Sequence, residues 1–301
     1  MLEVSNVKLP LDAGLPEGGG LVRAAAAAAL GVAEGDVRTV RTVKRSVDVR
    51  KKRDVHFVAT LGVELVDEAA EERALAVAIA RGGAGAIVGT HVKRHEPYEP
   101  LDVPLRAAAA ANAGEPRPIV VGAGPAGLFC ALYLARAGLR PLVLERGGDV
   151  DERLAAVDAF AAGGDLDPQT NIQFGEGGAG TFSDGKLTTN IKNPMARHVL
   201  RWFVDAGAPE EILWQAKPHI GTDLLVDVVR TMRRQIEDAG GEVRFHAQLA
   251  GVRSRRRGDR RRRAPTGARR GGADGCAARG CWPAGITGAR VRSEGPCTRR
   301  A

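Results

Sequence analysis

Residues 118–147 read PIVVGAGPAGLFCALYLARAGLRPLVLERG, and this single unit sets the fold expected for the middle of the chain. Ile119 to Val121 make an apolar strand, after which Gly122, Gly124 and Gly127 complete G-x-G-x-x-G. Leu128 to Ala137 continue as an apolar helix that Gly138 ends. LRPLVLE is a second strand closed by an acid, Glu145, 18 residues after Gly127. Each part has a physical task. Gly122 permits the tight turn out of the strand, Gly124 lets backbone approach a pyrophosphate, and Gly127 lets helix and strand pack closely. The helix start offers unpaired N–H groups and the positive end of its dipole to phosphates. Glu145 can accept hydrogen bonds from both ribose hydroxyls, and an acid there disfavours a 2′-phosphate. With 39 glycines in the chain, the three-glycine pattern alone would be weak. Strand, turn, helix, strand and terminal acid together are the context that a dinucleotide site requires. Pro125 and Ala126, lying between the last two glycines, are expected in the same cofactor contact.

A second glycine-rich run, FGEGGAGTFSDGKL, spans Phe174 to Leu187. Gly180, Gly185 and Lys186 have the spacing of the nucleotide-hydrolase phosphate loop, but Leu187 stands where a hydroxyl should bind magnesium. That loop also needs an apolar strand before it and a helix after it. QFGEGGA is too glycine-rich for a buried strand, and LTTNIKNP is β-branched and then stopped by Pro194. The hydrolase reading therefore falls.

VGAGPAGLFCALYLARAGLRPLVLERG resembles the FAD-binding start of the glutathione-reductase-type flavoproteins. Together with FGEGGAGTFSDGKLTT and with KRSVDVRKK nearer the N-terminus, it is similar to a group of bacterial uncharacterised FAD-dependent dehydrogenases, from Leu2 to Val252. The resemblance implies FAD on a Rossmann-like half, held by Gly122, Gly124, Gly127 and Glu145, with NAD(P)H as a compatible electron donor; it names no substrate. Arg146 is similar to the basic residue of the Glu-Arg pair in many flavoproteins, which lies near the adenosine; a surface strand end is the other reading. The second glycine run would then be a loop against the flavin side of the same cofactor. Glycines at 175, 177, 178 and 180 would let main-chain N–H groups, those of Gly177, Gly178 and Gly180 among them, reach pyrophosphate or ring carbonyls. Ser183, Asp184 and Lys186 are candidates for polar contacts near the isoalloxazine, where a lysine beside N1 and O2 would stabilise the anionic reduced flavin. The plainer alternative is a surface turn centred on Asp184-Gly185 with a solvated Lys186.

Residues 1–95 read as a small α+β domain. LEVSNVKLP is a strand and LVRAAAAAALGV a helix ending near Gly31. VRTVRTVKRSVDVR and DVHFVATLGVEL are strands about the charged turn KKR, and EAAEERALAVAIARGG is a helix with Ala74, Val77, Ala78 and Ile79 at helical spacing. The order βαββα fits a ferredoxin-like sandwich. Residues 96–117 are proline- and alanine-rich and read as a linker. Arg38, Arg41, Lys44, Arg45, Arg50, Lys51, Lys52 and Arg53 raise a nucleic-acid hypothesis, but Phe57 is the only ring near them for base stacking. A solvated strand face and hairpin tip is the competing reading.

Residues 118–252 complete the expected FAD-binding half with the start of a substrate-side insertion. Asn193-Pro194 opens a helix in NPMARHVLRWFVDAG. Thr222 is read as the cap of a helix with Leu224, Leu225, Val228, Val229, Met232 and Ile236 on one face. His246, on the returning strand, reads as structural. No catalytic residue is fixed; Lys186 and His219 are the weak candidates, His219 lacking an identifiable partner.

The formal charge of +8 is unevenly spread. Residues 251–301 hold 15 Arg, no Lys and three acids, whereas residues 1–250 hold 29 basic and 33 acidic residues. From Ser254 onward the text lacks Leu, Phe, Tyr and Lys, and neither strand nor helix period is visible. Its composition is what a GC-rich gene yields out of frame, so residues 253–301 are expected to be a disordered tail of a truncated or frameshifted chain. The resemblance implies further strands and a third glycine motif that this text does not supply. Cys276, Cys281 and Cys297 in the tail fit no zinc spacing, and no metal is expected. Cys130 is the lone cysteine of the body, read as a free buried thiol in a reducing cytosol, hence a cytoplasmic protein. No secretory leader and no membrane span are visible. The expected fold class is α/β: an N-terminal α+β ferredoxin-like domain followed by an incomplete Rossmann-type FAD-binding domain. The expected function is an FAD-dependent oxidoreductase, with a nucleic-acid-binding protein as the alternative.

Overall fold

The computed structural model describes residues 1–99, 117–183, 185–191, 193, 195–254 and 286–293. The chain divides into two compact units. One comprises Met1–Leu101, Lys186–Val204 and Pro209–Ile220; the other comprises Asp102–Gly185, Asp205–Ala208 and Gly221–Ala301. From residue 100 to residue 116 the expected linker lies outside the described residues.

The first unit is built from β1 (Leu2–Leu9), α1 (Gly19–Leu30), β2 (Val37–Asp48), β3 (His56–Leu65), α2 (Glu68–Ala80) and β4 (His91–Arg94). The sheet order is β2-β3-β1-β4, antiparallel throughout. Alternation puts Ala59, Leu61, Val63 and Leu65 of β3 into the core. In β1 the buried residues are Leu2, Val4, Val7 and Leu9, a spacing that skips a beat. A bulge between Val4 and Val7, with Asn6 at φ 60°, absorbs the extra residue and keeps both halves of the strand inward. Strand β4 adds a sixth element to the expected βαββα; HVKR escaped the sequence reading because only Val92 of its four residues is apolar and buried. The inward face of α2 also differs from expectation. Glu71, Leu75 and Ala78 are buried, whereas Val77 and Ile79 are exposed. Glu71 is held there by the Met1 ammonium at 2.6 Å and by the Leu65 N–H at 3.0 Å.

The second unit carries β5 (Ile119–Val121), α3 (Pro125–Arg136), β6 (Leu142–Leu144), α4 (Val150–Ala161), α6 (Thr222–Asp238) and β7 (Glu242–Arg244). Its sheet is parallel, in the order β5-β6-β7. Helix α6 buries Leu225, Val226, Val228, Val229, Met232 and Ile236, whereas Leu224 is exposed. Thr222 is the first residue of α6 and not its cap; Gly221, at φ 89°, takes the capping position without a side chain. Cys130, read as a free thiol, is disulfide-bonded. Strand β8 (Ala247–Ser254) pairs antiparallel with β9 (Ile286–Ser293). The expectation of a structureless tail therefore fails over Ile286–Ser293. The rest of the expected tail beyond Ser254 lies outside the described residues.

Residues 186–204 and 209–220, assigned from sequence to the cofactor half, belong to the first unit. The cause is a backbone pairing along β2. The Arg45 N–H donates to the Trp214 carbonyl at 2.8 Å, and the Ala216 N–H donates to the Arg45 carbonyl at 2.9 Å. The Arg45 guanidinium lies between the rings of Phe57 and Trp214, 4.4 and 4.5 Å from their centroids. Other basic residues of this region are also engaged: Arg38 with the Val66 carbonyl, Arg41 with His95, and Arg50 with Asp48. Helix α5 (Met195–Asp205) begins in these segments, its first N–H accepted by Asn193 Oδ1 at 2.9 Å. No helix among the described residues is long and apolar enough to cross a membrane.

Candidate functional site

Strand β5 runs into Gly122, whose φ of 93° would strain any other residue. The Gly122 N–H donates to the Leu144 carbonyl at 2.8 Å, tying the turn to the end of β6. Gly124 caps α3 in an extended conformation, and Pro125 fills the first helical position, where a missing N–H costs nothing. The N–H groups of the first helical turn have no intrahelical acceptor and point to the space ahead of the turn. A Cβ on Gly127 would sit 1.9 Å from the Gly122 carbonyl oxygen. A Cβ on Gly122 or Gly124 would meet no protein atom within 4 Å. Gly127 is therefore bare so that helix and strand can touch, and Gly124 is bare beside open space.

Glu145, 5% exposed at the end of β6, braces this turn. Its Oε2 accepts from the Ala123 N–H at 2.6 Å and its Oε1 from the Gly147 N–H at 2.9 Å. Each carboxylate oxygen keeps a second lone pair for a hydroxyl donor. The Arg146 guanidinium stacks on Phe174, 4.1 Å from the ring centroid, which joins the end of the first motif to the second glycine run. His246, at φ 52°, donates its N–H to the Gly147 carbonyl and sets Nε2 2.7 Å from Glu152 Oε2.

The two glycine runs meet. The Gly177 N–H donates to the Ala123 carbonyl at 2.9 Å, and a Cβ on Gly178 would lie 2.8 Å from Pro125 Cδ. A Cβ on Gly177 would lie 2.4 Å from Thr181 Oγ1, and one on Gly175 would lie 2.3 Å from Arg153 Cδ. Gly175, Gly177 and Gly178 are thus crowded by protein, whereas Gly180 is exposed with nothing within 4 Å of its missing Cβ. Ser183 Oγ donates to the Gly180 carbonyl at 2.8 Å and accepts from the Gly185 N–H at 3.2 Å, closing a local turn. Asp184 lies outside the described residues. Lys186 and His219 are brought side by side as an isolated antiparallel bridge, with the Leu187 N–H donating to the Pro218 carbonyl at 2.8 Å. Both are exposed.

Two charged residues escaped the sequence reading. Arg153 of α4 has no exposed surface and donates to the carbonyls of Asn171, Ile172, Glu176 and Gly178. Its guanidinium also lies 4.7 Å from the Phe182 centroid. Burial pulls its pKa down to about 10, against the opposing charges of Glu145 and Glu176, so it stays protonated at neutral pH. Glu176 is equally buried; its Oε2 accepts from the Val150 N–H at 2.9 Å, at the start of α4. Its Oε1 is 3.0 Å from Arg233 Nε in an ion pair whose angles do not make a hydrogen bond. Burial pushes the Glu176 carboxyl up to about 7, more than Arg233 and the Val150 N–H pull it down. The only sequence sign of either was that Arg153 stands three residues after Val150, on the face that Val150 buries.

Comparison with known proteins agrees with this geometry. Residues 120–151 match the model of the NAD(P)-binding Rossmann-like domain, which supports a dinucleotide-binding, oxidoreductase-like family and a nucleotide cofactor. Residues 1–64 match a domain of unknown function (DUF8436). A protein of Clostridium beijerinckii (strain ATCC 51743 / NCIMB 8052), described as "Uncharacterized protein", is 38% identical over 248 residues. The match covers 82% of this chain and 43% of that relative, so the chain spans less than half its length.

Proposed function

We propose that the second unit binds FAD and that the chain is the cofactor-binding part of an FAD-dependent oxidoreductase. The observation that carries this reading is the junction of the two glycine runs through Gly177 and Ala123, beside open space at Gly122, Gly124 and Gly180. A dinucleotide fits that arrangement. The first-turn N–H groups of α3, at Ala126 and Gly127, face the space that a pyrophosphate would take, with Pro125 setting the turn that presents them. Glu145 has lone pairs left for the ribose hydroxyls, and Arg146 on Phe174 offers a flat cation beside the adenosine. Gly177 and Gly178 hold the second loop against the first, so that Gly180, with Ser183 after it, is left for the flavin side. Lys186 and His219 are the residues we propose for catalysis, as a cation and as a proton-handling base. Bound FAD would supply hydride transfer at its N5, with NAD(P)H as electron donor. For the first unit, the βαββαβ order and the β2-β3-β1-β4 sheet support a ferredoxin-like reading.

Purified protein tests the cofactor directly. FAD in the site gives a yellow protein with absorbance near 370 and 450 nm, roughly the usual flavin bands. Heat-released cofactor identified by chromatography separates FAD from NAD(P). A colourless chain that takes up no added FAD but binds NAD(P)H would replace the flavin with a nicotinamide dinucleotide.

A further inference from the structure

Arg153 is a costly residue for its position. Moving a guanidinium out of water costs several kcal/mol before any partner is counted. An apolar side chain on α4 would fill the same volume more cheaply. What an apolar residue could not do is bond four main-chain carbonyls spread from Asn171 to Gly178. The planar guanidinium presents five N–H groups in a fixed fork, so the loop it binds is held at several points at once.

The bonded carbonyls include those of Glu176 and Gly178, which flank Gly177. The Gly177 N–H is the one seated on the Ala123 carbonyl, and Gly178 packs on Pro125. The Ala123 N–H in turn is held by Glu145. A continuous chain of contacts therefore runs from the Arg153 guanidinium to the turn of the first glycine motif. Gly175 is bare where Arg153 passes, since a Cβ there would lie 2.3 Å from Arg153 Cδ. The grip is mutual, because Glu176 of the loop accepts from the Val150 N–H at the start of the helix that carries Arg153.

We propose that Arg153 is the positioning residue of the cradle: its guanidinium sets the second glycine run in register with the first, so that a dinucleotide meets a preformed loop. The inference rests on the dinucleotide reading only for its consequence for binding. It makes two separate statements, one about the loop and one about the ligand. Replacing Arg153 by lysine keeps the charge and removes the fork, since an ammonium cannot span the four carbonyls.

The test uses the full 301-residue chain. In Arg153→Lys, hydrogen exchange of peptides within 171–183 should accelerate about tenfold or more, as for the loss of at least one charged hydrogen bond, while peptides from β5, β6 and β7 keep their protection. FAD affinity, read by flavin fluorescence, should weaken by about the same factor. Arg153→Ala should regain affinity when free guanidinium is added at millimolar concentration, a rescue that a space-filling role would not give. Unchanged exchange over 171–183 overturns the proposal. So does equal loss of protection across the sheet, or a variant that cannot be obtained folded with or without guanidinium, because Arg153 would then serve the whole unit. If wild-type protein binds no FAD, the cofactor reading fails, and the exchange data still decide whether Arg153 positions the loop.

Discussion

The Gly177 N–H donates to the Ala123 carbonyl across 2.9 Å, and the N–H of that same Ala123 donates to Glu145 across 2.6 Å. Ala123 is the x of the first G-x-G, and its peptide groups tie together β6, the helix turn and a loop about fifty residues later in the chain. The three parts of the candidate site therefore share one anchoring residue. Substitutions around it separate groups that shape the turn from groups that leave room beside it.

Gly124 and Gly127 make the first such pair. Alanine at Gly124 puts a methyl group into open space, so its stability cost should stay within about 1 kcal/mol. The same methyl stands where a pyrophosphate would approach, and FAD affinity should fall about tenfold or more. Alanine at Gly127 drives a Cβ to 1.9 Å from the Gly122 carbonyl oxygen and should cost about 3 kcal/mol or more. Thermal unfolding of each variant without cofactor, alongside FAD titration, checks both halves. Equal destabilisation by the two variants would contradict the division.

Glu176 sets a pH dependence. Burial lifts its pKa from the ordinary 4.5 to about 7, so between those values the folded chain keeps a proton that the unfolded chain has released. The contribution is full below the unfolded value and is lost as pH rises through about 7. Its size is at most about 3 kcal/mol. Asp151, paired with Arg230, and Glu242, paired with Arg244 and Arg117, are shifted down and act in the opposite sense at lower pH. Urea unfolding between about pH 5 and 8 should therefore show wild-type stability declining with pH. Glu176→Gln keeps an acceptor for the Val150 N–H and should flatten the slope. The same slope in the variant would assign the titration to another group.

Much of the second unit was legible because its signals are local. Strand, three glycines, helix, strand and Glu145 all fall within thirty residues, and the 1.9 Å clash at Gly127 is the packing that its spacing implied. What sequence does not carry is the identity of a glycine's neighbour. Gly175, Gly177 and Gly178 looked like room for a cofactor, yet the occupants are Arg153, Thr181 and Pro125. Arg153 itself sits in DERLAAVDAF directly after two acids, a charged context that gives little sign of burial. Long-range pairing was equally hidden: nothing near Trp214 announces that its carbonyl accepts from Arg45, which draws residues 209–220 to the first unit. Periodicity failed on α2 for another reason. Several of its thirteen residues are alanines, which satisfy more than one face, so that Leu75 and Glu71 decided the inward side.

Glu145 offers the sharpest separation between a ligand contact and a structural brace. A carboxylate that only bound ribose could be replaced by glutamine with a loss of affinity and little change in stability. Here both oxygens already accept buried N–H groups, from Ala123 and Gly147. Glutamine has one carbonyl oxygen, so one of those N–H groups would face an NH2 and lose its acceptor. A buried donor left unpaired costs about 1–3 kcal/mol. Glu145→Gln should therefore lower the stability of cofactor-free protein by that amount and weaken FAD binding as well, because the Ala123 turn shifts. Denaturation of the cofactor-free chain is the deciding measurement. Wild-type stability with weakened FAD binding would mean that Glu145 serves the ligand alone, and that the bond to Ala123 adds nothing to the fold.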